Sequence, residues 1–495
     1  MSKQQLNKNI EKIYPLSPLQ EGMLYHQLLD EKSGDYVVQT TLKINGKFSV
    51  DVAKESIQLL ATKHDVLRTI IPLNRFKKSV QIVLKEKEIE FKKFDFQGYS
   101  SEEQEIRIDE FLKKDVERGF DFEKSSNFRV AIIKLSHDEW IMVWSFHHII
   151  IDGWCLSILF QDYLSYYFAL KKGESKEKIV TSIKNSKSVE LSYSQYIKWL
   201  ERQEKEEVYK YWEELLDGYE TDAKIDSFSG EKVNGNKISE SNLFFESYEY
   251  KAIKEKSASY NVTVSTMIEA AWGLLLQFYS GSNDVVFGKV VSGRDISLPG
   301  IEKSVGLFIN TIPSRVKTSE DMSCIELLNN IQNQGTKSLE YQHCSLADIQ
   351  SRTFKGDFIH SVYAFENFLT NPGILSEQEG LTFEIIKSRE QTNYPLTLRV
   401  NQLGTLRLDM LYNTNLFSEK DINLILSHLK EIVIYFALNP DSLVSSIDII
   451  TDEEKNEITK VFNDVEIDHN KDLNVKEIFE KTVDKYPNKT ALVYE

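Results

Sequence analysis

The stretch WIMVWSFHHIIIDGW, Trp140 to Trp154, decides the fold. Side chains on a strand point alternately to its two faces. Here Trp140, Met142, Trp144 and Phe146 fall on one face, and Ile141, Val143 and Ser145 on the other. Large apolar residues on both faces predict a central strand covered on both sides. The strand runs into a loop, and Trp154 opens a helix.

Upstream, SPLQEGMLYHQLLD (Ser17 to Asp30) predicts a helix, with Ser17 as N-cap, Pro18 at the first helical position and Gln20 completing a capping box. Ser49 to Ala61 reads as a second helix, and VLRTII, Val66 to Ile71, as a strand following it. Downstream, KKGESKEKIVTSIKNSKSVE, Lys171 to Glu190, is charged and poor in apolar residues, which predicts a linker between two lobes. Helical patterns follow at Ser194 to Leu216, then a polar loop from about Asp217 to Lys237. More strands and helices extend to about Ile450, including VVFGKVVSGR and the helical SLADIQ. Both halves alternate strands with helices. The expected class is α/β (α+β), as one domain or two similar ones.

Composition narrows the function. The 495 residues suffice for two to four domains, and 41% hydrophobic residues suit a globular chain rather than a disordered one. The net charge of −16 lacks the basic footprint of a nucleic-acid binder. Cys155, Cys324 and Cys344 are sparse and unpaired in spacing, which suits a reducing, cytoplasmic setting. The N-terminus carries no apolar signal core, and apolar runs fall well short of the roughly 18 residues of a membrane span.

Chemistry concentrates in HHIIIDG. Consecutive residues face opposite ways, so only one histidine can enter a given site; His148 shares a face with Phe146 and Trp144, and His147 points away. An imidazole beside a cleft can exchange a proton near neutrality. Asp152 can orient an imidazole or pair with an arginine. The competing reading is a core histidine and an aspartate that caps the next helix. The other histidines are scattered, so no metal site is expected.

Several motifs, in order, resemble those of condensation domains of nonribosomal peptide synthetases. YPLSPLQEGMLYH (Tyr14 to His26) is similar to the family's opening signature, KHDVLRT (Lys63 to Thr69) to its RHExLRT segment, and HHIIIDGW to its active-site motif. YSQYIKW (Tyr193 to Trp199) resembles YxDYxxW with Gln195 in place of the acid. VSGR (Val291 to Arg294) and VGLFINTIPSR (Val305 to Arg315) match the later pair, and YQHCSLADIQ and TNYPLTL match the last two loosely.

The resemblance implies two chloramphenicol-acetyltransferase-like lobes forming a V-shaped pseudo-dimer, with the active site between them. It implies peptide-bond formation between thioesters carried on the phosphopantetheine of donor and acceptor carrier proteins, with no metal or cofactor bound by the domain itself. Carried over by position, His148 is the active-site group, with positioning of the amine ahead of proton transfer, and Gly153 offers a backbone N–H and room for substrate. His147 is structural, and Asp152 forms a salt bridge with Arg68. Asn310 and Arg294 are tunnel or site-edge candidates, each with a structural alternative. Trp154 borders the site, more as packing than as contact.

The resemblance also divides the chain. Residues 1–13 are expected to be a docking-like segment that meets an upstream synthetase subunit, which gives a weak lean to a D-configured donor. Residues 14–175 and 176–450 form the two lobes, and 451–495 a linker and the start of an adenylation domain. Competing assignments are an epimerisation domain of the same fold and a catalytically inactive platform that recruits partners to a carrier protein. A heterocyclisation domain would replace the histidine motif with paired aspartates.

Overall fold

The structure, a computed structural model, describes residues 9–29, 34–73, 78–124, 126–187, 190–226, 238–353, 358–366, 377–463 and 473–494. Contacts divide the chain into a large unit ending at Ile447 and a small one, Asp448–Glu495.

In chain order, the first half of the large unit contributes β1 (Ile10–Pro15), β2 (Val37–Asn45), β3 (Thr69–Ile70), β4 (Val80–Leu84), β5 (Glu90–Asp95), β6 (Phe128–Lys134) and β7 (Glu139–His147). The second half contributes β8 (Ile238–Phe244), β9 (Asp284–Val291), β10 (Asn310–Lys317), β11 (Ser361–Glu366), β12 (Thr382–Arg389), β13 (Leu396–Leu403) and β14 (Thr405–Asn413). They assemble as a six-stranded sheet in the order β10-β9-β11-β13-β14-β8, a five-stranded sheet β12-β2-β7-β6-β5, and a small sheet β1-β4-β3. Pairing is mainly antiparallel, with parallel pairs at β5·β6, β9·β11 and β11·β13, so the fold is mixed α/β of the α+β kind.

The strand carrying the histidine motif is central, as its two apolar faces predict. β7 pairs antiparallel with β2 on one side and β6 on the other. Trp140, Met142, Trp144 and Phe146 enter the main core, while Ile141 and Val143 pack beneath the helix Ser101–Arg118. Each such side chain contributes about 1.5–3 kcal/mol by leaving water. Ser145, the polar member of the second face, donates to Asp115, which Arg129 also holds.

The helix Pro18–Leu29 starts as read. The Ser17 N–H donates to Gln20 Oε1 and the Gln20 N–H to Ser17 Oγ, at 2.8 and 3.2 Å. Ser49 caps the helix Val50–Lys63. Two local expectations change. VLRTII is a 3-10 turn over Asp65–Arg68 followed by only two strand residues. The stretch read as a linker is helical over Lys176–Lys187, because Ile179 and Ile183, one turn apart, are buried in the main core with Val180 packed beside them, while most of the other residues face water.

β12 belongs to the second half by sequence but lies in the first half's sheet. It pairs antiparallel with β2 from Thr382↔Asn45 to Arg389↔Gln39, with an irregularity between Ile385 and Lys387. Residues leaving β12 therefore emerge beside the end of β7.

In the small unit, the helix Val475–Lys485 begins with a capping box from Asn474 and Glu477, and its Ile478 and Phe479 are exposed. Among the described residues no helix is long and apolar enough to cross a membrane. Of the expected docking-like segment, residues 1–8 lie outside the described residues, and Ile10–Pro15 is the strand β1, paired with β4.

Candidate active site

β7 ends at His147, and the next six residues turn into the helix Trp154–Lys171. Three backbone bonds fix the turn: His148 N–H to Tyr36 O at 2.8 Å, Ile150 N–H to His147 O at 3.2 Å, and Asp152 N–H to Gly306 O at 3.3 Å. Gln20 of the opening signature adds a fourth, from its Nε2 to Ile149 O at 2.7 Å. The capping-box glutamine thus serves both the helix start and this loop.

The two histidines diverge as parity requires. His147 is enclosed by aromatic rings, with Phe122 4.8 Å and Tyr36 6.2 Å away between centroids. Its Nδ1 accepts from the Ile149 N–H at 3.0 Å, and its Nε2 has no hydrogen-bond partner among the described residues. Burial, helped by neighbouring His148, pushes it down to about 3, so it is neutral. His148 faces a cavity of about 210 Å³ whose wall also includes Gly153, Trp154, Met23, Thr311, Glu366, Glu390 and Arg399. Its Nδ1 lies 3.0 Å from Ile151 O and its Nε2 2.9 Å from Glu390 Oε1. Burial alone would lower His148, but the Glu390 carboxylate and the Ile151 carbonyl outweigh it and hold the imidazole above its usual range.

Asp152 is fully buried, but Arg68 is not its partner. Arg294 reaches it, Nη2 to Oδ1 at 3.2 Å, and the Phe308 N–H donates to Oδ2 at 2.9 Å. Arg294 itself is anchored by the carbonyls of Ile301 and Ser304 at 2.6 and 2.9 Å and lies 4.2 Å from the Phe308 ring. Asp152 keeps the Arg294 guanidinium charged despite burial. Cys155 closes the cluster, donating its thiol to Asp152 Oδ1 and Gly306 O, both at 3.1 Å. Gly306 sits so close to the Tyr193 ring that a Cβ there would overlap it. Arg68 instead bonds Glu11 at 2.7 Å, Asp65 at 2.8 Å and the carbonyls of Ala61, Leu84 and Lys85. Its job is to fasten β1 and β4 to the turn before β3.

Asn310 is buried and turned away from the cavity. Its Nδ2 donates to Gln342 O at 2.7 Å and Cys344 O at 2.6 Å, which selects its structural alternative over a tunnel-lining one. Its neighbours Ile309 and Thr311 line the cavity in its place. Arg294 is likewise bonded to Asp152 and to the carbonyls of Ile301 and Ser304 rather than placed on the cavity wall. Trp154 is at the cavity wall, 38% exposed, and its Nε1 donates to Glu302 O at 3.2 Å. Gly153 precedes the helix Trp154–Lys171 on the same wall. Among the described residues no histidine, cysteine and carboxylate cluster is arranged to hold a metal.

Three charged cavity residues were not anticipated. Glu390 follows β12, Arg399 is on β13, and Glu366 ends β11. Arg399 Nη2 pairs with Glu240 at 3.0 Å, and its Nη1 lies 3.8 Å from Glu390. Burial raises the Glu366 carboxyl, with Arg399 opposing. The only sequence signal was that Glu390 stands two residues before TNYPLTL.

The family profile described as Condensation domain matches residues 10–459. The chain is 33% identical over 491 residues to bacitracin synthase 1 of Bacillus licheniformis, covering 98% of the chain and 9% of that protein. It is 34% identical over 448 residues to surfactin synthase subunit 3 of Bacillus subtilis (strain 168), covering 90% of the chain and 34% of that protein. The chain thus spans a small part of these relatives. Among solved structures, the first condensation domain of the calcium-dependent antibiotic synthetase in complex with a substrate analogue shares the fold, with a TM-score of 0.68 at 14% identity over 90% of this chain and 100% of that one. With a profile that spans most of its length and an unbroken HHIIIDG at the cavity wall, the chain belongs to the condensation-domain family of nonribosomal peptide synthetases.

Proposed function

We propose that this chain joins a donor aminoacyl or peptidyl thioester to the α-amine of an acceptor aminoacyl thioester, each delivered on the phosphopantetheine of a carrier protein. The observation that carries the proposal is His148 and Gly153 side by side on the wall of a largely apolar cavity formed by both halves of the large unit. The acceptor nitrogen attacks the donor carbonyl, a C–N bond forms, the C–S bond breaks, and the donor thiolate leaves. The amine gives up one proton and the thiolate takes one, so the domain needs no cofactor of its own.

A free α-amine has a pKa of about 7.7–8.0, so a useful fraction is already neutral at neutral pH. Strong general-base catalysis is therefore unnecessary before attack. His148 is poorly arranged for it in any case, since both ring nitrogens face oxygen acceptors. A ring held this way is a donor on both edges. With both N–H groups engaged it orients the reacting groups by its fixed place and its charge rather than through a free donor, and positioning of this kind supplies several kcal/mol. Gly153 leaves room beside it because it has no side chain.

The test mixes the protein with donor and acceptor carriers loaded with aminoacyl groups and weighs the acceptor by mass spectrometry. Gain of one aminoacyl unit by the acceptor supports the proposal. Loss of α-deuterium from a carrier-bound residue without elongation favours epimerisation. Carrier binding with neither product favours the recruitment platform. Full elongation by His148→Ala would overturn the assignment of the site.

A further inference from the structure

One acidic side chain at the cavity has no part in that scheme. Glu390 comes from the second half of the chain, yet its backbone is fixed in the first half's sheet. Arg389, just before it, is paired with Gln39 on β2. Gln391, just after it, accepts from the Tyr36 N–H at 2.9 Å and donates its own Nε2 to Asp35 at 2.7 Å. Val37 on β2 stands opposite His147 on β7, so the ladder that holds Glu390 also fixes the start of the histidine loop. The side chain is tethered at both oxygens, with Oε1 2.9 Å from His148 Nε2 and Oε2 3.8 Å from Arg399. A row of alternating charge results: Glu240, Arg399, Glu390 and His148, ending on the Ile151 carbonyl.

We propose that Glu390 is a positioning residue for His148, orienting the ring about the axis between Ile151 O and Nε2 and supplying the counter-charge that keeps both nitrogens protonated. This rests on the reading of His148 as the active-site group. Glu390 acts through the imidazole, as a carboxylate behind a catalytic or metal-bound histidine fixes its tautomer and orientation. The other charged and titratable groups around His148 are Glu366 at the end of β11, Arg399 on β13, the phenols of Tyr36 and Tyr394 on the same cavity wall, and Asp152 and His147 in its own segment. Asp152 is already committed to Arg294, and among the described contacts of the ring the carboxylate within bonding distance is that of Glu390. The upward displacement of His148 and the downward displacement of Glu390 agree with such a pair.

The experiment compares wild type with Glu390→Gln, which keeps shape and removes charge, and Glu390→Asp, which keeps charge. Dipeptide formation is followed over pH, and the His148 ring is titrated by 15N NMR, its signals assigned by their loss in His148→Ala. The expected result is a fall of roughly 10- to 100-fold in kcat for Glu390→Gln, with the acceptor KM moving much less. The His148 midpoint should move down in Glu390→Gln and stay nearer wild type in Glu390→Asp. An unchanged midpoint in Glu390→Gln overturns the proposal even if the rate falls, and so does an unchanged rate and pH profile. If wild type forms no dipeptide, the proposed reaction fails while the midpoints still decide the pairing. If Glu390→Gln does not fold, the wild-type ring still decides: a midpoint below the ordinary 6.5 overturns the pairing.

Discussion

Two side-chain pairs tie the loop after β7 to the second half of the chain, and they work in different surroundings. Asp152 and Arg294 are sealed inside, where the Phe308 N–H also bonds Asp152 and the carbonyls of Ile301 and Ser304 hold Arg294 Nη1. His148 and Glu390 face the cavity, and the ring stays within reach of anything that enters. Four positions along one short motif therefore separate a lock from the histidine to which the proposed function assigns the work. A motif residue whose loss abolishes activity is not thereby a member of the chemistry, because breaking the lock would displace the working group too.

The sharpest way to break the comparison is Arg294→Ala. It leaves Asp152 charged and buried without its partner, and should cost about 3–5 kcal/mol of unfolding free energy in a urea titration. A loss below about 1 kcal/mol would mean that Asp152 and Arg294 do not form a lock. His148→Ala should invert the pattern, slowing dipeptide formation about 100-fold, or ~2.7 kcal/mol in the barrier, while the urea midpoint changes little. Asn310→Ala tests the lock side again. It deprives the Gln342 and Cys344 carbonyls of their shared donor, so about 1–3 kcal/mol of stability should go while the folded protein keeps its rate of the proposed dipeptide formation.

The smallest effect concerns pH. Glu390 lies below its ordinary 4.5, so its contribution to stability is present above that value and is lost as pH falls through the folded-state pKa. His148 lies above its ordinary 6.5, so its contribution is present below that value and is lost as pH rises through the folded-state pKa. The stability difference between wild type and Glu390→Gln, on the order of 1 kcal/mol, should be widest between these values and shrink on either side. A flat difference from pH 3 to 9 would deny that the pair is ionic.

The lock and the working group were unequally legible in the sequence. Parity along β7 is a local property, so the opposite environments of His147 and His148 follow from the residues themselves. The Ser17 and Gln20 capping box is local as well. The partner of Asp152 is not local. Arg68 and Arg294 both stand in recognisable motifs, and only the tertiary fold brings one of them to Asp152 across 142 positions. Glu390 was harder still, because it arrives on a strand that leaves its own half of the chain, an excursion that strand patterning does not encode. The helix Lys176–Lys187 was hidden for another reason. Its buried surface rests on two isoleucines, too few to stand out among so many charges.

That wandering strand has a consequence for anyone who recombines these enzymes. A first half cut free after Glu190 would lack β12 and would expose the outer edge of β2, a row of unpaired amides and carbonyls from Gln39 to Asn45. Such an edge is a template for self-association. A chimera that takes its two halves from different parents would also match a foreign β12, and with it a foreign Glu390, to the resident histidine loop. Compatible halves should therefore be chosen on the β2–β12 seam as well as on the cavity they enclose.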